Sequence, residues 1–284
     1  MQQSGPLDAL PLPGVYLIIT LVALLAVELG FRLARNRLLR SLRENEAPVG
    51  AIVGATLGLL AFLLAFTFGL AASRFDARKG FILDEANAIG TTYLRAALLP
   101  EPQRTGIRTL LREYVDMRLQ IIQPDKAQQA LRRSVELQDE LWAHAVVAAD
   151  KVAAPTAALF ISSLNELIDL HAKRINLGIR NRVPVSIWAV LYFVSIVTMM
   201  AVGYYAGLTA SRRSPAILAL VLTFGAVILL IADLDRPYEG LLTVNQQAIL
   251  DLRDSFGQST RSTLTSVGQD SPPWDRPNPT RYYR

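Results

Sequence analysis

Asp233, Asp235, Arg236 and Glu239 crowd around Pro237 and Gly240 in the stretch IADLDRPYEGLL, residues 231–242. Carboxylates and a guanidinium this close can pair with one another, cap a helix end or hold a ligand. Pro237 has no N–H to donate and disfavours helix at the residue before it, so a helix arriving from the N-terminal side should stop near Asp235. Gly240 permits a reversal, after which LLTVNQQAILDLRDSF can form a short amphipathic helix. The spacing favours an ion-pair or capping knot over a catalytic or metal site.

Two further stretches carry polar stripes. In FILDEANAIGTTYLRAALLP (81–100), Ile82, Ala86, Ile89 and Tyr93 share an apolar helical face, while Asp84, Asn87, Thr91 and Arg95 share a polar one. Asn and Thr are weak helix formers, so this stripe points to hydrogen bonding or ligand contact as well as to plain solvation. In ISSLNELIDLHAKRINLGIRNR (161–182), Leu164, Leu167, Ile168, His171 and Ile175 line one side and Asn165, Glu166, Asp169 and Arg180 the other. His144 is the only other histidine, so a histidine metal site is not expected, and His171 reads as a core histidine held by hydrogen bonds. Asp84 and Glu85 are expected to meet Lys173 and Arg174.

The stretch PVGAIVGATLGLLAFLLAFTFGLAASRFD (48–76) places Gly50, Gly54 and Gly58 on one helical face, where a second backbone can approach closely, in the same chain or in another subunit. Phe62, Phe66 and Leu70 form another ladder. Such residues face lipid or core in a monomer, but in a ring of subunits they make an apolar constriction that gates by dewetting. Arg74 and Arg78 continue the register. They either snorkel to headgroups or form a basic vestibule that concentrates anions.

The elements that position these residues follow from hydropathy. Four stretches (12–31, 49–72, 184–208 and 215–232) are apolar and nearly free of charge. Each is about 18–25 residues long, enough to cross a hydrocarbon core of about 30 Å as a helix. None alternates with a polar face as a soluble core helix would. The first, with arginines after it and no basic residue before it, reads as a retained anchor and not as a cleaved signal. Residues 1–11 are an N-terminal stub, 32–48 a basic connection and 209–214 a short basic loop. Residues 73–183 read as an extramembrane domain of about four helices broken by Pro100, Pro102, Pro124 and Pro155. A turn and amphipathic helix occupy 233–265, and the Pro-rich tail 266–284 reads as disordered. The predicted fold is therefore an all-α, multi-pass membrane protein: four transmembrane helices, with the helical domain between the second and third.

The 284 residues include no cysteine, which excludes disulfides and Cys-ligated metals, and the net charge of +5 fits headgroup contact better than nucleic acid. The sequence lacks H-E-x-x-H and G-x-S-x-G, and GAIVGATLG has neither the Lys-Ser/Thr of a Walker loop nor a strand before it. No enzyme, cofactor or metal is expected. Arginines of the two short connections argue for a cytoplasmic location of those loops, while a comparable number of basic residues flanks the central domain, so charge alone does not assign a side.

Together, residues 48–100, SLNELIDLHAKR and IADLDRPYEGLL resemble a bacterial bestrophin-like membrane-protein family, and more distantly the bestrophins. The resemblance implies a homo-oligomer in the bacterial inner membrane, pentameric by analogy, whose partners are the bilayer, further copies of the chain and inorganic ions. It implies a pore lined by the second helix, with Phe62, Phe66 and Leu70 at the neck, and a turn at Asp235-Arg236-Pro237-Tyr238 after the last membrane helix. It also implies a cytoplasmic central domain. The acidic calcium clasp of eukaryotic bestrophins is not reproduced, so calcium gating is not carried over. Passive ion passage, with anions slightly favoured, is the leading expectation. A non-conducting scaffold or sensor whose helical domain binds a partner is the alternative, and oligomer geometry separates the two.

Overall fold

The computed structural model describes residues 10–39, 45–123, 125–176, 182–209, 214–236 and 240–257. Among these, every regular element is helical: α1 (Leu12–Leu39), α2 (Glu46–Arg95), a 3-10 turn (Ala96–Leu98), α3 (Gln103–Gln120), α4 (Ala127–Ala149), α5 (Ala154–Lys173), α6 (Val185–Leu208) and α7 (Pro215–Asp235). Residues 247–257 form a further helix, α8. Four of these, α1, α2, α6 and α7, are long and apolar enough to cross a membrane. Two outrun their apolar segments. Between 49 and 95 no proline interrupts α2 and the charged residues are good helix formers, so helix continues for 50 residues. At 1.5 Å per residue that is about 75 Å, more than twice a hydrocarbon core of about 30 Å.

The helix ends follow local chemistry. Pro184 is extended and precedes α6. Ser214 caps α7, its Oγ accepting the Ala216 N–H at 3.2 Å, with Pro215 in the first turn. Arg236, before a proline, is extended and ends α7 at Asp235.

The chain divides into two compact units, Met1–Gly80 with Lys173–Val244, and Phe81–Ala172 with Asn245–Arg284. In the first, α1 packs most extensively on α6. Glycines make that approach possible: a Cβ on Gly203 would overlap the Val27 carbonyl, one on Gly30 the Met200 carbonyl, and one on Gly207 would lie 2.7 Å from Ala34 Cβ. The core of this unit joins Leu60, Leu64 and Phe75 of α2 to Trp188 and Leu191 of α6 and to Val221 and Ile228 of α7.

The second unit buries Ile89 and Tyr93 of α2, Ile107 and Leu111 of α3, Leu137 and Leu141 of α4, and Phe160 and Leu164 of α5. Phe256 of α8 stacks on Tyr93 with ring centroids 3.9 Å apart. The stripe of Ile82, Ala86, Ile89 and Tyr93 expected from the sequence is buried throughout.

Candidate functional site

Within the first unit, α2 has two unlike faces. Val53, Leu60, Leu64, Thr67, Ala71, Phe75 and Arg78 are buried, at the heptad-like spacing of a helix packed along one side. Phe62 and Phe66 are 66% and 61% exposed. Each lies two residues from a buried leucine, about 200° around the helix, and so projects away from the core. The same outward face carries Ala51, Gly54, Ala55, Gly58, Ala61, Ala65 and Gly69, all exposed. A Cβ on Gly54, Gly58 or Gly69 would meet nothing within 4 Å, whereas one on Gly50 would lie 3.1 Å from the Tyr205 ring. Of the three glycines singled out in sequence, only Gly50 packs on a neighbour among the described residues. The exposed face of α1 presents Leu17, Leu21, Leu25, Leu29 and Leu33, the bulky surface that suits lipid, whereas α2 exposes Ile52, Leu59 and Phe68 interleaved with its small residues. Leu70 is half-buried.

Beyond the apolar run, the two arginines part ways. Arg78 is buried and turned into the chain. Its Nη2 donates to the Leu234 carbonyl and its Nη1 to the Asp235 carbonyl at 3.4 Å, satisfying carbonyls at the last turn of α7. Sequence reasoning has it as a second vestibule cation, and this burial takes its donors away from any such surface. Arg74 is half-exposed.

The acids of the opening stretch act as backbone caps. Asp233, 2% exposed, accepts the Leu241 N–H at 2.8 Å and the Leu242 N–H at 3.1 Å. Gly240 lies so close that a Cβ there would strike the Asp233 carboxylate. Asp235 Oδ1 accepts the Val183 N–H at 2.8 Å, just before α6. Arg236 donates from Nη2 to the Leu10 carbonyl at 2.7 Å. These bonds tie the end of α7 to α2, to the start of α6, to residue 10 and to the following turn. Pro237 and Glu239 lie outside the described residues, as does Arg180.

In the second unit a polar cluster forms where the sequence shows only separate charges. Glu85 and Arg118 are both fully buried, with Arg118 Nε 2.8 Å from Glu85 Oε1 and Nη2 donating to Oε2 at 3.1 Å. Arg118 Nη1 lies 3.2 Å from His171 Nδ1, and the Tyr114 hydroxyl lies 3.1 Å from the same nitrogen. A guanidinium only donates, so Nδ1 of His171 is the acceptor there. The single hydroxyl proton of Tyr114 goes to Glu85 Oε1 at 3.2 Å, and the hydroxyl oxygen accepts from Gln138 Nε2 at 3.2 Å. Burial, with Glu85 alongside, holds the Tyr114 hydroxyl well above the usual phenol range, so it keeps its proton. Glu85 is thus paired with α3, an element that helical spacing within α2 does not reveal.

The stripe residues themselves are more open. Asp84, Asn87, Asn165 and Asp169 are exposed, Thr91 is half-buried, and Arg95 donates from Nη1 to the Leu159 carbonyl at 2.7 Å. The buried polar positions are their neighbours, Glu85 and Thr92. No group of three metal-ligating side chains occurs among the described residues.

The fold is thus that of an all-helical membrane protein with a helical insertion between its second and third apolar helices. Residues 17–249 match the bestrophin-like domain, and the chain belongs to the bestrophin-like family. Its fold is similar to that of a crystallised variant of a bacterial bestrophin homologue from Klebsiella pneumoniae. The TM-score is 0.65 at 14% identity, covering 88% of this chain and 98% of that one. It is also similar to a crystal structure described as a membrane protein, with a TM-score of 0.60 at 15% identity, covering 88% and 98%. No curated protein sequence matched the chain.

Proposed function

We propose that the chain is one subunit of a homo-oligomeric ion channel in the bacterial inner membrane, with α2 facing a central pathway. One observation carries this reading. The outward face of α2 combines small residues, three glycines with open space beside them among the described residues, and two projecting phenylalanines, of which Phe66 borders a groove with Ile187 and Val190 of α6. Lipid does not require small residues, but closely approaching helices of neighbouring subunits do. Copies arranged with this face inward bring Phe62 and Phe66 to the axis as apolar rings, the form of a gate that opens and closes by wetting. Leu70 completes the neck one turn further. Arg74 then stands at its mouth and raises the local anion concentration, with Arg78 adding charge but no contact. Family membership supports the same reading, and five subunits is the number implied by the resemblance to bestrophins.

Planar-bilayer recording of the purified oligomer tests the proposal. Phe62→Ala and Phe66→Ala should each raise open probability or leak, because a smaller apolar ring wets more easily. Unchanged currents in both variants would place the rings against lipid instead.

A further inference from the structure

The arginines at the end of α2 are short of acceptors. The Nη1 of Arg74 is buried and has no hydrogen-bond partner among the described residues. The Nε of Arg78 is likewise buried without an acceptor, in a side chain that is 7% exposed. The other donors of Arg78 go to neutral carbonyls, those of Leu234 and Asp235. A third guanidinium, Arg182, lies within electrostatic reach of Arg78 and Asp235. The two described acids at the end of α7 are already engaged. Both oxygens of Asp233 are taken by the Leu241 and Leu242 amides, and Asp235 Oδ1 is taken by Val183. Asp235 lies within electrostatic reach of both Arg74 and Arg78.

A buried guanidinium nitrogen without an acceptor is costly, and charged donors are more so than neutral ones. The position narrows the ligand. Arg74 is the first charge after the apolar run 49–72, and Arg78 touches the last turn of α7. These are the places where membrane helices meet headgroups, and where basic side chains meet lipid phosphate. Guanidinium N–H groups match tetrahedral oxyanions, whose several oxygens accept from more than one donor at once.

We propose that Arg74, with Arg78 beside it, forms a binding site for a phosphate-type oxyanion, supplied as the headgroup of an anionic phospholipid or as free phosphate. The site shares Arg74 with the vestibule above but does not require that ions pass. Arg74→Gln is the informative variant, because Arg74 Nη1 has no partner among the described residues, whereas Arg78→Gln also removes the tie to α7. Lys79→Gln, an exposed neighbour, removes the same charge without touching the site.

Two assays on the full-length protein distinguish the sources. Native mass spectrometry follows retention of phosphatidylglycerol against phosphatidylcholine, and thermal unfolding in neutral detergent compares inorganic phosphate with chloride at equal ionic strength. A lipid site predicts that wild type and Lys79→Gln retain phosphatidylglycerol while Arg74→Gln loses affinity by about tenfold or more, as expected for one guanidinium–phosphate contact. A free-oxyanion site predicts that phosphate stabilises wild type and Lys79→Gln but not Arg74→Gln. If neither assay depends on Arg74, or Lys79→Gln loses as much as Arg74→Gln, only diffuse surface charge is present and the proposal is overturned.

Discussion

Glu85 and its neighbour Asp84 show how much one position matters on a helix. They are about 100° apart around the axis, and only Glu85 is buried, against Arg118, Tyr114 and the His171 face. Removing one partner of a buried pair leaves an uncompensated charge in low dielectric. Glu85→Ala should therefore destabilise the protein by about 3–5 kcal/mol, read as a lower denaturation midpoint, while Asp84→Ala should change it by less than about 0.5 kcal/mol. Equal effects would mean that the pair contributes nothing beyond surface charge. Sequence periodicity picked out the apolar stripe of Ile82, Ala86, Ile89 and Tyr93 correctly. It assigned the polar interest to Asp84, Asn87, Thr91 and Arg95 because nothing local signals that a guanidinium 33 residues away would arrive beside Glu85. The His171 expectation fared better: an imidazole on an apolar flank needs a hydrogen-bond partner, and the Arg118 guanidinium provides one at Nδ1.

At the scale of the element, glycines do two different jobs. Gly30, Gly203 and Gly207 let α1 and α6 touch backbone to backbone, and GYYAG at 203–207 has the small-xxx-small spacing that signals such contact. The same spacing recurs in the longer glycine series at 50–58, so spacing alone does not separate the two. Sequence shows which residues are small but not which helix meets them. The two sets give opposite predictions. Gly203→Leu should prevent folding or lower the melting temperature sharply, because its side chain meets the α1 backbone. Gly58→Leu, pointing into open space, should leave the secondary structure and the fold of the subunit intact and lower only the oligomer fraction in size-exclusion chromatography with light scattering. Preservation of the oligomer in Gly58→Leu would remove the subunit-contact role from this face. Helix boundaries were legible where prolines and caps act, as at Pro184, Ser214 and Arg236. The reach of α2 to Arg95 was legible in the same way, since no proline follows the apolar run before Pro100 and the second membrane helix is expected to continue as a stalk over 73–98.

For the whole molecule, bunched hydropathy and the bestrophin-like resemblance together carried the fold, and the family match over residues 17–249 agrees with both. What a single chain cannot display is the arrangement of copies, and a pore between subunits exists only there. The central claim is that the Phe66 face of α2 lines an ion pathway. The natural absence of cysteine makes it directly testable, since any added thiol is the only one present. The decisive measurement is planar-bilayer current through reconstituted Phe66→Cys oligomers before and after a charged, membrane-impermeant thiol reagent. The account predicts a lasting change in current in the variant and none in wild type. An assembled protein that carries no current, or a Phe66→Cys current indifferent to the reagent, would contradict it.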